Sequence, residues 1–349
     1  MKLGLNLGYW GAGNDADNLA LAVEADRLGY DVAWVAEAYG SDAATVLAWV
    51  GAQTKTIDIG SAIFQIPGRT PANCAMTAAT LDTLSGGRFR LGLGVSGPQV
   101  SEGWHGVRFD KPLARTREYS DIVKLALSRQ KVRYDGQHYV LPLPDGPGKA
   151  LQLTVHPVRE HIPMYLAAVG PKNLELSGEL FDGWLAIFYS PDYAKESLAS
   201  IEIGRAKVGK TMEGFDVVPT MPFIVGDDPR ASADLIRWYA ALYLGGMGSR
   251  EKNFYNQLAV RMGFDEAAVK IQDAYLARNY DGAAAAVPYE FVDATSLLGP
   301  KEQIAEKMQV LAASGVTTLT LSPFAATQAQ KVADLRTAVE ALELAGVAS

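Results

Sequence analysis

Four stretches of this 349-residue chain carry residues whose types and spacing can do chemistry. Glu37, in VAEAYG, closes an apolar run and would stand at the carboxyl end of a strand, where a buried carboxylate shifted toward neutrality can carry a proton. His105 follows a glycine turn by a few residues; its imidazole would titrate near neutral pH and act as an acid, although a lone loop histidine is more often simply solvated. In AAVGPKN a strand ends at Gly170 and a helix begins at Pro171, so the unpaired amides near Gly170, Lys172 and Asn173 form an anion seat. On the residues alone, a helix start capped only by water is the commoner explanation of that stretch. In LSGGRFRLGLGVSGP a helix stops at Ser85 to Gly87, and a short buried strand thinned by Gly92 and Gly94 follows. That strand ends in a turn at Ser96, Gly97 and Pro98 where a ligand can approach the backbone.

The elements that must position these residues alternate along the chain. Strand-like runs are Leu3 to Gly8, Asp31 to Glu37, Ile57 to Ile66, Phe89 to Val95, Ile162 to Val169, Trp184 to Phe188, Phe215 to Val225 and Val316 to Leu321. Helical patterns separate them: the run up to Gly29, Asp42 to Gln53, Pro71 to Leu84, Lys111 to Ser128, Pro171 to Leu180, Asp192 to Gly204, Arg230 to Tyr243, Lys301 to Ser314 and Gln328 to Ala345. Parallel strands with helical crossovers leave a closed barrel or an open doubly wound sheet. The open dinucleotide-binding sheet needs a Gly-x-Gly-x-x-Gly turn after the first strand, and Gly11, Ala12 and Gly13 lack the third glycine. The expectation is an α/β chain folded over residues 1–349 as one (β/α)8 TIM barrel, with insertions around 132–160 and 245–300. The active face would lie at the carboxyl ends of the strands.

Composition narrows the class further. A formal charge of -7 without basic clusters argues against nucleic acid or an anionic membrane surface as the main partner. One cysteine, Cys74, and four scattered histidines offer neither a disulfide nor a zinc-type ligand set. The first residues, MKLGLNLGYW, read as a strand rather than a signal peptide, so a cytoplasmic protein acting on a small molecule is expected.

The run LSGGRFRLGLGVSGPQVSEGWHG, with WVAEAYGSDA upstream and YLAAVGPKNLELSGELFDGW downstream, resembles the luciferase-like superfamily and, within it, oxidoreductases dependent on the deazaflavin coenzyme F420. The resemblance implies a (β/α)8 barrel, hydride transfer at the cofactor's central ring and a homodimer. It implies a non-prolyl cis peptide beneath the ring, placed at Ala62 and Ile63, with Gln65 and Ser96 nearby as cofactor contacts. Val169, Gly170, Lys172 and Asn173 occupy the positions that receive the cofactor's phosphate, and Glu37 matches a residue that contacts the cofactor. The chain departs from sugar-phosphate-oxidising relatives, which have an acid-histidine pair where Glu37 and Ala38 stand and a second acid where Gly97 and Pro98 stand, so their mechanism does not transfer. The lysine that some relatives carry after the following strand is absent from IFYSPDY, and Lys172 was the candidate to replace its charge. Flavin mononucleotide, in a two-component monooxygenase of the luciferase type, is the alternative cofactor; a non-catalytic ligand-binding barrel is the alternative of another class.

Overall fold

Eight parallel strands close on themselves in the computed structural model, which describes residues 1–11 and 15–349. They are β1 (Lys2–Asn6), β2 (Val32–Val35), β3 (Asp58–Ser61), β4 (Phe89–Gly94), β5 (Met164–Ala167), β6 (Gly183–Ile187), β7 (Asp216–Val225) and β8 (Thr318–Pro323). Each pairs with the next, and β8 returns to β1 with Leu3 opposite Leu319. The expected (β/α)8 barrel is therefore present; of the Gly11 to Gly13 stretch, Ala12 and Gly13 lie outside the described residues.

The strands close because their alternate residues suit two different surroundings. Leu3, Leu5, Ala33, Val35, Ile59, Leu91 and Leu93 face outward and are buried against the helices. Val32, Trp34, Tyr165, Leu185 and Val218 fill the interior, with the Trp34 and Tyr165 rings 5.3 Å apart and nearly perpendicular. Large interior side chains need small ones beside them. A Cβ at Gly60 would lie 2.3 Å from Trp34, and one at Gly183 would lie 2.5 Å from Tyr165, so glycine on these strands makes room for the rings.

Charge plugs the end of the barrel away from the strand tips. The Arg90 guanidinium bonds Asp58 at 2.7 Å and Asp31 at 2.5 Å, with Asp216 at 3.7 Å. Burial opposes its charge, but the Tyr165 phenol and the carboxylates of Asp58 and Asp31 outweigh that and raise its pKa further. Tyr165 and Thr318 hold Asp216 in turn.

Several elements differ from expectation. The third strand is interrupted after Ser61, resumes for Phe64–Gln65 and ends in a 3-10 turn at Ile66–Gly68. The excursion before β5 carries its hairpin at Tyr134–Asp135 and Val140–Leu141, pinned by the Glu118 carboxylate, which accepts the amides of Gln137, His138 and Tyr139. The helix expected from Arg230 to Tyr243 is broken into Pro229–Asp234, Arg237–Ala241 and a π-helical turn at Leu242–Gly246. Gly245 and Gly246 lie so close to the Tyr275 ring that no side chain would fit, which places the π turn against the helix Asp265–Leu276. A short strand that the sequence pattern missed, Leu297–Gly299, pairs with the outer end of β7. No helix among the described residues is long and apolar enough to cross a membrane.

Asp26 closes the first βα unit: its carboxylate accepts the amides of Lys55, Thr56 and Ile57 and the Thr56 hydroxyl. Burial alone would raise its pKa, but these four bonds lower it to about 2. A depressed carboxylate stabilises the fold above its unfolded value and loses that contribution as pH falls toward 2. Asp26→Asn is expected to lower the urea midpoint at pH 7, with the gap to the parent chain closing between about pH 4 and pH 2. A gap that stays constant over that range would show that Asp26 is not the group titrating.

Candidate active site

Three strand tips make a shelf. Beyond β3 the peptide between Ala62 and Ile63 is cis, at the position where the resemblance puts one. The chain then returns to pair Phe64 with Leu93 and Gln65 with Gly94 on β4. Beneath the bulge, the Ser61 hydroxyl donates to the Gly92 carbonyl at 2.8 Å and accepts the Gly92 amide at 2.9 Å.

Glu37, one residue beyond Ala36 at the end of β2, is where carboxylate chemistry was expected. Its side chain is 8% exposed and both oxygens are engaged. One accepts the Ala43 amide at 3.2 Å; the other accepts the Gln65 amide at 3.2 Å and the Arg69 guanidinium. Arg69 also reaches Asp42 at 2.5 Å and lies 4.3 Å from the centre of the Phe64 ring. Gln65 is equally committed: its amide nitrogen donates to the Ala38 carbonyl at 2.6 Å and its oxygen accepts the Ser96 hydroxyl at 3.1 Å. Ser96 adopts φ +60°, a conformation uncommon for a residue with a side chain. Arg69, Glu37, Gln65 and Ser96 thus tie the tips of β2, β3 and β4 into one brace. The sequence motif predicts Glu37 and Gln65 but not Arg69, whose partner lies 32 residues away.

His105 packs against Gly68 in the 3-10 turn, with its Nε2 shielded and unpartnered. Trp104 is two-thirds exposed, and Glu102 accepts the Phe109 amide. On the opposite rim Asn6 donates to the Ser322 hydroxyl at 3.2 Å. Tyr239, Tyr243 and Tyr255 cluster with Phe188 under the inserted helices. Burial pushes the Tyr255 phenol up to about 12, so at neutral pH it offers a proton donor and not a base.

The anion seat is formed as the residues require. Gly170 caps the helix Pro171–Leu180 with φ −88° and ψ 155°, and its carbonyl accepts the Asn173 and Leu174 amides. Among the described residues the Gly170 and Lys172 amides have no acceptor, and a Cβ at Gly170 would meet nothing within 4 Å. Asn173 donates to the Ala167 carbonyl, while its Oδ1 is shielded without a partner. Lys172 turns the other way: its ammonium bonds Glu175 at 2.6 Å. Arg261, a residue the sequence patterns did not single out, instead reaches the Val169 carbonyl at 3.1 Å and the Tyr193 hydroxyl at 3.0 Å. Room and open amides together fit an anionic group at this tip, whereas the shielded Asn173 Oδ1, an acceptor, calls for a donor. Among the described residues no group of three or more His, Cys, Asp or Glu side chains is placed to hold a metal ion.

Comparison with known proteins agrees with this geometry. The family model described as luciferase-like monooxygenase matches residues 9–318. A Mycobacterium tuberculosis protein provisionally named a coenzyme F420-dependent oxidoreductase is 44% identical over 342 residues, covering 96% of this chain and 99% of that protein. A 5,10-methylenetetrahydromethanopterin reductase of Archaeoglobus fulgidus is 28% identical over 299 residues, covering 84% of this chain and 85% of the reductase. Among solved structures, the coenzyme F420 dependent tetrahydromethanopterin reductase of Methanopyrus kandleri superposes with a TM-score of 0.82 at 22% identity, covering 96% of this chain and 97% of that one.

Proposed function

Because this chain belongs to the luciferase-like monooxygenase family, we propose that it is a coenzyme F420-dependent oxidoreductase acting on a small organic substrate. The observation that carries the reading is the pairing, on one face of the barrel, of an open helix start at Gly170 with a braced shelf made by β2, β3 and β4. A planar ring resting on a shelf while its phosphate sits on unpaired amides needs both features at once. Bound there, the deazaflavin supplies a hydride donor or acceptor.

The chain's own residues bind and orient. Gly170 and Lys172 offer backbone amides to the phosphate, Asn173 stands beside them in the first turn of the helix, and Val169 leads the chain into that turn. Ala62, Ile63 and Ser96 form the shelf. Glu37 and Gln65 hold it in place, since both carboxylate oxygens of Glu37 and both polar atoms of the Gln65 amide are already bonded within the protein. In this reading Glu37 is a positioning residue, and His105, turned against Gly68, is not the proton carrier. The family resemblance also implies a homodimer, expected to scatter light as twice 37.4 kDa.

Fluorescence titration tests the cofactor. Micromolar protein is expected to quench coenzyme F420 and leave flavin mononucleotide unaffected; preference for the flavin would overturn the reading in favour of a two-component monooxygenase. Gly170→Val provides a local check, because the added methyl groups enter space that no protein atom occupies. Its melting temperature is expected to stay unchanged while F420 affinity falls by about tenfold or more. Unaltered affinity would move the phosphate elsewhere.

A further inference from the structure

We propose that Arg261, reaching in from the inserted helical segment, is the cation that neutralises the phosphate of the deazaflavin cofactor. The assignment rests on the F420 reading above and adds to it a residue from a part of the chain outside the barrel.

The argument begins with charge. An anion held only by backbone amides and a helix dipole gains far more when a guanidinium stands beside it. The turn after β6 offers no lysine, and Lys172 is drawn back along its own helix by Glu175, which Lys207 also pairs. Arg261 remains. It ends the helix Phe254–Arg261, is only partly exposed and forms no ion pair among the described residues. Its two hydrogen bonds go to neutral oxygens, the Val169 carbonyl and the Tyr193 hydroxyl.

A guanidinium has five N–H donors, and these bonds use two of them. Three stay available, on a group held one residue before Gly170. Val169 and Tyr193 also line a narrow cleft between the tips of β5 and β6, together with Ile187, Ser190 and Leu258. Among the described half-buried arginines, Arg69, Arg115, Arg117, Arg159 and Arg237 have carboxylate partners, while Arg88 and Arg129, like Arg261, are held by neutral acceptors but lie away from the strand tips. An arginine fixed by neutral acceptors at the rim of a cleft has its charge uncompensated, and a phosphate on the Gly170 turn would compensate it. Tyr193 and Val169 then serve to aim the planar group.

Arg261→Gln keeps a polar, hydrogen-bonding side chain, though a shorter one, while removing its charge. Fluorescence titration with coenzyme F420, and in parallel with the riboflavin-like deazaflavin that lacks the phosphate, separates the anion's contribution from the ring's. Arg261→Gln is expected to weaken F420 binding by about tenfold or more and to leave the phosphate-free ligand unchanged. The salt dependence of F420 binding should flatten in the same variant. Arg261→Lys should recover part of the loss, and Tyr193→Phe, which removes a hydrogen bond but no charge, should change binding little. Far-UV circular dichroism and melting temperature check that the variants are folded.

F420 affinity unchanged in Arg261→Gln, or an equal loss for both ligands, would overturn the assignment. A parent chain that binds the phosphate-free ligand and F420 equally well would do the same. Failure of the parent chain to bind F420 at all would instead remove the cofactor reading, and this assignment with it.

Discussion

Gly92→Ala is expected to lower the stability of the chain by at least about 3 kcal/mol, or to prevent recovery of folded protein, although it adds a single methyl group. An ideal Cβ at Gly92 would lie 1.9 Å from the Ser61 carbonyl oxygen and 2.7 Å from the nearest methyl of Leu185. Leu185 can rotate; the carbonyl cannot, because the Ser61 hydroxyl clamps Gly92 through both its amide and its carbonyl. Relief requires β3 and β4 to part, and the Ala62–Ile63 bulge hangs directly on β3. Urea unfolding measures the effect, with Gly170→Ala as the control, since the same added carbon there meets nothing. Equal midpoints for Gly92→Ala and the parent chain would show that the strands are not locked as described.

Glu37→Ala carries the second large expectation. It strips the buried Arg69 guanidinium of its main partner and leaves the Gln65 amide without an acceptor. Breaking a buried ion pair from one side costs about 3–5 kcal/mol. Asp42, half-exposed and still bonded to Arg69, should keep the loss toward the lower end of that range. Cofactor affinity should fall as the shelf loosens. Glu37→Gln distinguishes positioning from proton transfer: it keeps the side chain's size and an acceptor for one of the two amides, and loses the charge. Weaker cofactor binding with an unshifted pH profile of kcat is expected from it. A limb missing from that profile would restore Glu37 as the proton carrier.

Much of this architecture was legible because each barrel strand is a short apolar run bounded by turn residues, and the pattern repeats eight times. The break in the third strand was not visible in composition, since Ile57 to Ile66 is apolar apart from Asp58, Ser61 and Gln65. Only the resemblance marked Ala62 and Ile63. The stretch from Arg230 to Tyr243 read as one helix because its apolar residues keep a helical period through Ile236; the actual breaks accompany packing around Tyr275 and Phe188. In the site, Gly170 was readable from a local rule about proline and helix starts. The roles of Glu37 and Arg261 were not, because each depends on a partner brought in by the fold: Arg69 for one, and Val169, 92 residues distant, for the other.

The salt-bridged floor around Arg90 has a consequence for traffic. With that end stoppered, the barrel is a cul-de-sac, and every reactant enters and departs by the same doorway. Whichever molecule sits deeper must then arrive first and leave last, so turnover should follow a compulsory order rather than a random one.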